Sequence, residues 1–247
     1  MRFKRVLVTG SSRGIGRAIA QRLAKTGWSV AIHYSAGKDE VARTEEMLGS
    51  ACAGVYHADL SVPSNAKKLF EAALADGPIQ AIVNNAGVYM PLDFLKSGDA
   101  AFSANFHKTF AINFESPLAL IRASTKHFEA NGGGKVLNVA SRVGFRGEGG
   151  AALYASSKAA LINLTRSLAV ELAPKNIQLF GIAPGWVDTA MARDGMADRF
   201  AQIKESIPLG RMASSQDCAA TAAFLLSEDA AYLSGVVIDI NGASYFH

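Results

Sequence analysis

The chain has 247 residues, of which 49% are hydrophobic and 19% charged, and its formal net charge is +4. That is enough apolar material for one large core, and its Lys and Arg are scattered, so the basic balance gives no nucleic-acid stripe and fits an anionic cofactor or substrate. Cys52 and Cys218 lie far apart in no C-x-x-C pair, which argues against a disulfide scaffold or structural zinc and fits a reducing compartment.

The opening MRFKRVLVTG has an apolar run that stops at Thr9 and Gly10. It is too short for a signal-peptide core, and no later stretch reaches membrane-spanning length. Residues 6–9 read as a strand and 15–26 as a helix. The alternation continues with strand 30–34, helix 38–49, strand 54–58, helix 65–75 and strand 81–84. A helix around 102–128, strand 135–140, helix 152–172, strand 178–183, helix 216–226 and strand 236–240 follow. Such βαβ units predict a doubly wound α/β fold with helices on both faces of a parallel sheet. It has about seven strands in a single domain over 1–247. The Gly132-Gly133-Gly134 run and the segment 144–150 are loop-sized, not linkers.

The first chemical signal is Thr9-Gly10-Ser11-Ser12-Arg13-Gly14-Ile15-Gly16, which leaves the first strand and opens the first helix. Glycines there let the backbone turn tightly and approach a pyrophosphate, and a helix N-terminus offers unpaired N–H groups. A second signal is Tyr154 and Lys158, at i and i+4 on one helix face. An ammonium near a phenol favours the phenolate; bringing the Tyr pKa from about 10 to near 7 takes roughly 4 kcal/mol. The expectation is a depressed Tyr154 pKa and a proton donor usable at cellular pH. Ser141 closes the fifth strand, at the edge where doubly wound sheets place ligands. Its hydroxyl can reach a substrate oxygen.

The spacing T-G-x-x-x-G-x-G at Thr9–Gly16 resembles the short-chain dehydrogenase/reductase family. Asp59-Leu60, Asn84-Asn85-Ala86-Gly87, Ala111-Ile112-Asn113, Tyr154/Lys158 and Pro184-Gly185-Trp186-Val187-Asp188-Thr189 follow in the family's order. The resemblance runs from about residue 4 to 243. It implies a Rossmann-like sheet and an enzyme interconverting a carbonyl and a secondary alcohol by hydride transfer. By resemblance the catalytic set is Asn113, Ser141, Tyr154 and Lys158, with Asn113 holding a relay water; a local helix kink is the other reading of Asn113. Gly10, Ser12, Arg13, Gly14, Ile15 and Gly16 are expected at the cofactor phosphates, and Asp59, Leu60, Asn85, Ala86 and Gly87 around adenosine. Lys158, beside Tyr154, would also hold the nicotinamide ribose. Pro184, Gly185, Val187 and Thr189 would fix the carboxamide. Asp59 and Thr189 can also be read as helix caps.

Cofactor choice follows from Tyr34, which stands where NAD-selective relatives carry Asp, and from the neighbouring base Arg13. No acid there blocks a 2′-phosphate, so NADPH/NADP+ is expected. His33 and Lys38 either assist or are solvated. His57, His107 and His127 show no metal-ligand spacing, so no metal is expected.

The resemblance is nearest to 3-oxoacyl-acyl-carrier-protein reductases of fatty acid biosynthesis. Two segments depart from them: the interval between Asn84 and Asn113 is longer, and the 144–150 loop differs. Lys135 and Lys175 occupy the places of that group's docking arginines. The expected substrate is therefore a 3-oxoacyl thioester, with another ketone, a sugar, a quinone or a steroid as the alternative. A substrate lid is expected at about 189–210. A cytoplasmic homotetramer without membrane or nucleic-acid partners is implied, and a non-catalytic NADP-sensing protein is the other class of reading.

Overall fold

A computed structural model describes residues 4–193 and 200–247. Strand β1 (Lys4–Val8) carries Val6, Leu7 and Val8 with no exposed surface. Consecutive apolar residues, in place of alternation, are what a strand covered on both faces requires. The pleat sends Val6 and Val8 to one core layer and Leu7 to the other. After β1 come α1 (Gly14–Lys25), β2 (Trp28–Tyr34), α2 (Lys38–Leu48), β3 (Cys52–His57), α3 (Ser64–Ala75), β4 (Ala81–Asn84) and α4 (Asp99–Phe110). A π-helical turn (Ala111–Glu115) leads into α5 (Ser116–Ala130), β5 (Gly134–Val139), α6 (Ala152–Leu172) and β6 (Ile177–Pro184). The described chain closes with α7 (Ala190–Arg193), α8 (Phe200–Glu205), α9 (Ser215–Leu225) and β7 (Val237–Ile240).

The seven strands form one parallel sheet in the order β3-β2-β1-β4-β5-β6-β7, the expected doubly wound arrangement. One layer packs α1, α2 and α9 through Ile19, Leu23, Val41 and Leu225; the other packs α3, α5 and α6 through Phe70, Leu120, Phe128 and Leu172. The order reverses between β1 and β4. That switch point opens a crevice at the carboxyl ends of the strands.

Most element boundaries differ from the sequence reading by one to three residues, and three differences have a clear local reason. The helix expected at 102–128 starts earlier and is broken by the π turn, because Pro117 has no N–H for the Asn113 carbonyl and the α-helical ladder cannot pass through. Strand β3 begins at Cys52, since the pairing with β2 slips between Val30 and Ile32 and hides the early residues from a period-two pattern. Helix α9 starts at Ser215, fixed by a capping box: Ser214 Oγ accepts from Asp217 N (3.2 Å) and Asp217 Oδ2 accepts from Ser214 N (2.7 Å). Arg211 grips the same carboxylate at 2.7 Å and holds Asp217 well below the usual carboxylate range. Among the described residues, no helix is long and apolar enough to cross a membrane.

Candidate active site

The turn between β1 and α1 bends because Gly10 and Gly14 adopt φ of +61° and +56°. Gly16 packs helix against turn so closely that a Cβ there would lie 2.3 Å from the Gly10 carbonyl oxygen. The second asparagine of Asn84-Asn85 braces this turn: Asn85 Nδ2 donates to the Thr9 and Gly10 carbonyls at 2.9 and 3.0 Å. Thr9 Oγ1 in return accepts from the N–H groups of Asn85 and Ala86, both at 3.0 Å. Asn84 reaches across the sheet to Asn138 (2.8 Å), which bonds Thr165 of α6 (2.9 Å). One polar chain thus ties the turn's sheet to the helix that carries Tyr154 and Lys158.

Every residue expected at the cofactor, from Gly10 through Asp59 and Asn85 to Thr189, lines one cavity of about 450 Å³, together with Ser141, Tyr154 and Lys158. Asn113 does not line it. It lies buried in the π turn, where Oδ1 accepts from Val88 N (2.9 Å) and Nδ2 donates to Val88 O (3.0 Å) and Ser157 Oγ (3.2 Å). A Cβ on Gly87 would stand 3.3 Å from Asn113 Oδ1 and 3.5 Å from Lys158 Nζ, so Asn113 and Lys158 converge behind the cavity wall. Asn113 thus sits in a helix kink, as one reading had it, and beside the lysine. Asp59 does not cap the next helix, whose first turn follows Pro63; its Oδ1 accepts from Ser61 N at 2.9 Å and closes a turn.

The tyrosine and lysine correct one expectation. Lys158 Nζ, 4% of whose residue surface is exposed, donates to Val139 O (2.8 Å) and stands 5.8 Å from the centre of the Tyr154 ring. It does not bond the phenol. Burial pushes Tyr154 up to about 12, partly offset by a hydrogen bond with Ser141 and reinforced by Tyr89 and Glu148; burial alone brings Lys158 down to about 8. Desolvation outweighs the lysine's attraction at this distance. Tyr154 also packs edge-on against Tyr89 at 5.1 Å.

A stability prediction follows from Lys158. Its pKa is lower folded than unfolded, so the buried ammonium costs stability below about pH 8, and the cost vanishes above the unfolded value of 10.5. The shift amounts to about 3 kcal/mol, and leaving the Val139 carbonyl unpaired returns about 1. Lys158→Met is expected to melt several degrees higher at pH 7 and to lose that advantage near pH 10.5. Thermal melts at the two pH values check this, and an unchanged or lower melting temperature at pH 7 rules it out.

Several pocket residues escaped the sequence reading. His33, expected to be solvated or near a phosphate, is 1% exposed inside the sheet. The signal was its place in an otherwise apolar strand. Lys38 is exposed and outside the cavity. Glu40, in the first turn of α2, brings an acid to the adenosine end after all, but Arg17 pairs with it at 2.6 Å and Arg43 at 3.3 Å. At the opposite end Arg142 is buried beneath Trp186 (5.3 Å), beside Glu148 (3.4 Å) and Ser244 Oγ (3.1 Å). Its position directly after Ser141 was the available clue.

Lys135 and Lys175 are already engaged, the first 3.6 Å from Glu228 and the second paired with Glu129. Among the described residues, no cluster of His, Cys, Asp or Glu could hold a metal. Of the expected lid, residues 194–199 lie outside the described residues.

The family profile described as Enoyl-(Acyl carrier protein) reductase matches residues 10–243. The chain is 35% identical to the 3-oxoacyl-[acyl-carrier-protein] reductase FabG of Aquifex aeolicus over 243 residues, 97% of this chain and 96% of that protein. It is 34% identical to the enzyme of the same name from Escherichia coli, over 98% and 97% of the two chains. Among solved structures, 3-ketoacyl-(acyl-carrier-protein) reductase from Brucella melitensis, complexed with NADH, superposes with a TM-score of 0.90 at 30% identity, covering 98% of each chain. A blue fluorescent protein from a metagenomic library, in complex with NADPH, gives 0.89 at 29% identity, again with 98% of each chain covered.

Proposed function

The chain belongs to the short-chain dehydrogenase/reductase family, and from that premise we propose that it is an NADPH-dependent oxidoreductase interconverting a carbonyl and a secondary alcohol, with a 3-oxoacyl thioester as substrate. One observation carries the proposal. Ser141, Tyr154 and Lys158 line the same cavity as the glycine-rich turn.

The residues fit a dinucleotide. The turn leaves no room for side chains at Gly10 and Gly16, and the amino end of α1 offers unpaired N–H groups to a pyrophosphate. Arg13 stands at that mouth. Bound there, the cofactor supplies the hydride. Tyr154 donates its hydroxyl proton to the developing alkoxide, and Ser141, bonded to Tyr154, steadies the same oxygen. Lys158, 5.8 Å from the centre of the Tyr154 ring, supplies the positive charge that offsets the developing phenolate, and Tyr154 regains its proton from solvent. Asn113 fixes Val88 and Ser157 and so holds the wall beside Lys158.

A second reading, a smaller polar ketone, is supported by the Arg142–Glu148 pair in the cavity. A homotetramer in the cytoplasm belongs to the same proposal. Its supports are the family relationship, two unpaired cysteines and apolar side chains left exposed, such as Val170 on α6 (79%) and Tyr232 before β7 (103%).

The test is NADPH oxidation followed at 340 nm against acetoacetyl thioesters, diketones and ketoses, with NADH in parallel. Arg13→Ala is expected to raise KM for NADPH about tenfold, the value of one charge-assisted phosphate contact, and to leave KM for NADH unchanged. Equal effects on both cofactors would remove Arg13 from the phosphate site.

A further inference from the structure

His33 ends the apolar core of β2 and is stitched in four directions. Its N–H donates to Ser11 Oγ (2.9 Å) and its carbonyl accepts from Ser11 N (3.0 Å). In the ring, Nδ1 accepts from Gly10 N (3.0 Å) while Nε2 faces the Ala58 carbonyl at 3.0 Å. An acceptor at Nδ1 and a carbonyl at Nε2 can be satisfied together by one species only, the neutral imidazole protonated on Nε2. The Gly10 N–H is thereby spent inside the protein. The N–H groups left for an anionic ligand are those of the first turn of α1.

We infer that His33 is a positioning residue for cofactor binding: it clamps the glycine-rich turn to the carboxyl ends of β2 and β3. Gly10 is then held from both sides, its N–H by His33 and its carbonyl by Asn85. Its left-handed backbone keeps one conformation before any ligand arrives, so less ordering is left to binding. The clamp also sets the turn against Ala58, next to Asp59 and Leu60, so phosphate and adenine sites share one frame. His33 touches no reacting atom. Its loss should therefore weaken cofactor binding and leave the chemical step alone.

The inference rests on the reading that this turn holds NADPH, and two isosteres separate its parts. Asn places an oxygen where Nδ1 stands, and Gln places an amide N–H near Nε2. His33→Asn retains the acceptor for Gly10 and is expected to bind NADPH within about threefold of the unaltered protein. His33→Gln retains only the Ala58 contact; its Kd and KM for NADPH are expected to rise about tenfold, with kcat within about twofold, because a buried N–H loses its partner. Kd is read from NADPH fluorescence, with a thermal melt on each variant. Indistinguishable Asn and Gln variants, or a kcat that falls as far as affinity, would overturn the inference. Should the Gln variant not fold, a tenfold loss of affinity in the Asn variant alone overturns it. An unaltered protein that binds no NADPH strikes the cofactor reading itself, and the clamp with it.

Discussion

Tyr154→Phe is expected to fold, to bind NADPH as the unaltered protein does, and to reduce a ketone roughly two to four orders of magnitude more slowly, the usual contribution of a positioned general acid. Phenylalanine fills the same space against Tyr89 and removes only the hydroxyl bonded to Ser141. Steady-state kinetics should place the loss in kcat and leave KM for NADPH near its original value. The pH dependence has a definite sign. Tyr154, pushed up to about 12, stays protonated throughout the working range, whereas Lys158, brought down to about 8, loses its charge above that value. Reduction by the unaltered protein should therefore decline as pH rises through about 8. A Tyr154→Phe protein within tenfold of the unaltered one would assign the proton to another group.

Gly16→Ala carries the second large effect, and on binding. Its Cβ would lie 2.3 Å from the Gly10 oxygen and 2.4 Å from Asn85 Nδ2, the amide that braces the turn. Neither is the loose end of a flexible side chain. Helix α1 must shift from the turn, and forced overpacking of this kind costs about 1–3 kcal/mol. NADPH affinity is expected to fall about ten- to a hundredfold, visible as a raised Kd and as a smaller rise in melting temperature on adding NADPH. Gly147→Ala, where a Cβ meets nothing within 4 Å, is the matched control and should leave both unchanged. Equal behaviour of the two variants would mean that the tight turn is not where the cofactor sits.

Most of the fold was legible because βα alternation survives burial. Strands covered on both faces still stand out as apolar runs between helices, as Val6–Val8 does. What was not legible is the hydrogen-bond pairing that breaks or starts an element. The break at Ala111–Glu115 needed the register between Pro117 and Asn113. The start of β3 needed its slip against β2.

At the site, Tyr154, Lys158 and the glycine turn are readable because their spacing is local. The direction of the Tyr154 shift was not, since it turns on how much solvent burial removes and on where the Lys158 amine bonds. Glu40 and Arg142 were missed for a related reason. A charge in a sequence reads as solvated until its partner, here Arg17 or Glu148, is placed beside it.

The most direct test of the central claim is to supply NADPH carrying two deuterium atoms at nicotinamide C4, so that either face delivers the label, together with an acetoacetyl thioester, and to analyse the alcohol formed. The prediction is one deuterium on the carbinol carbon for each NADPH oxidised, with Tyr154→Phe forming the same labelled product far more slowly. An alcohol without the label, or NADPH consumed with no alcohol formed from the thioester or from any ketone of the panel, would contradict the account.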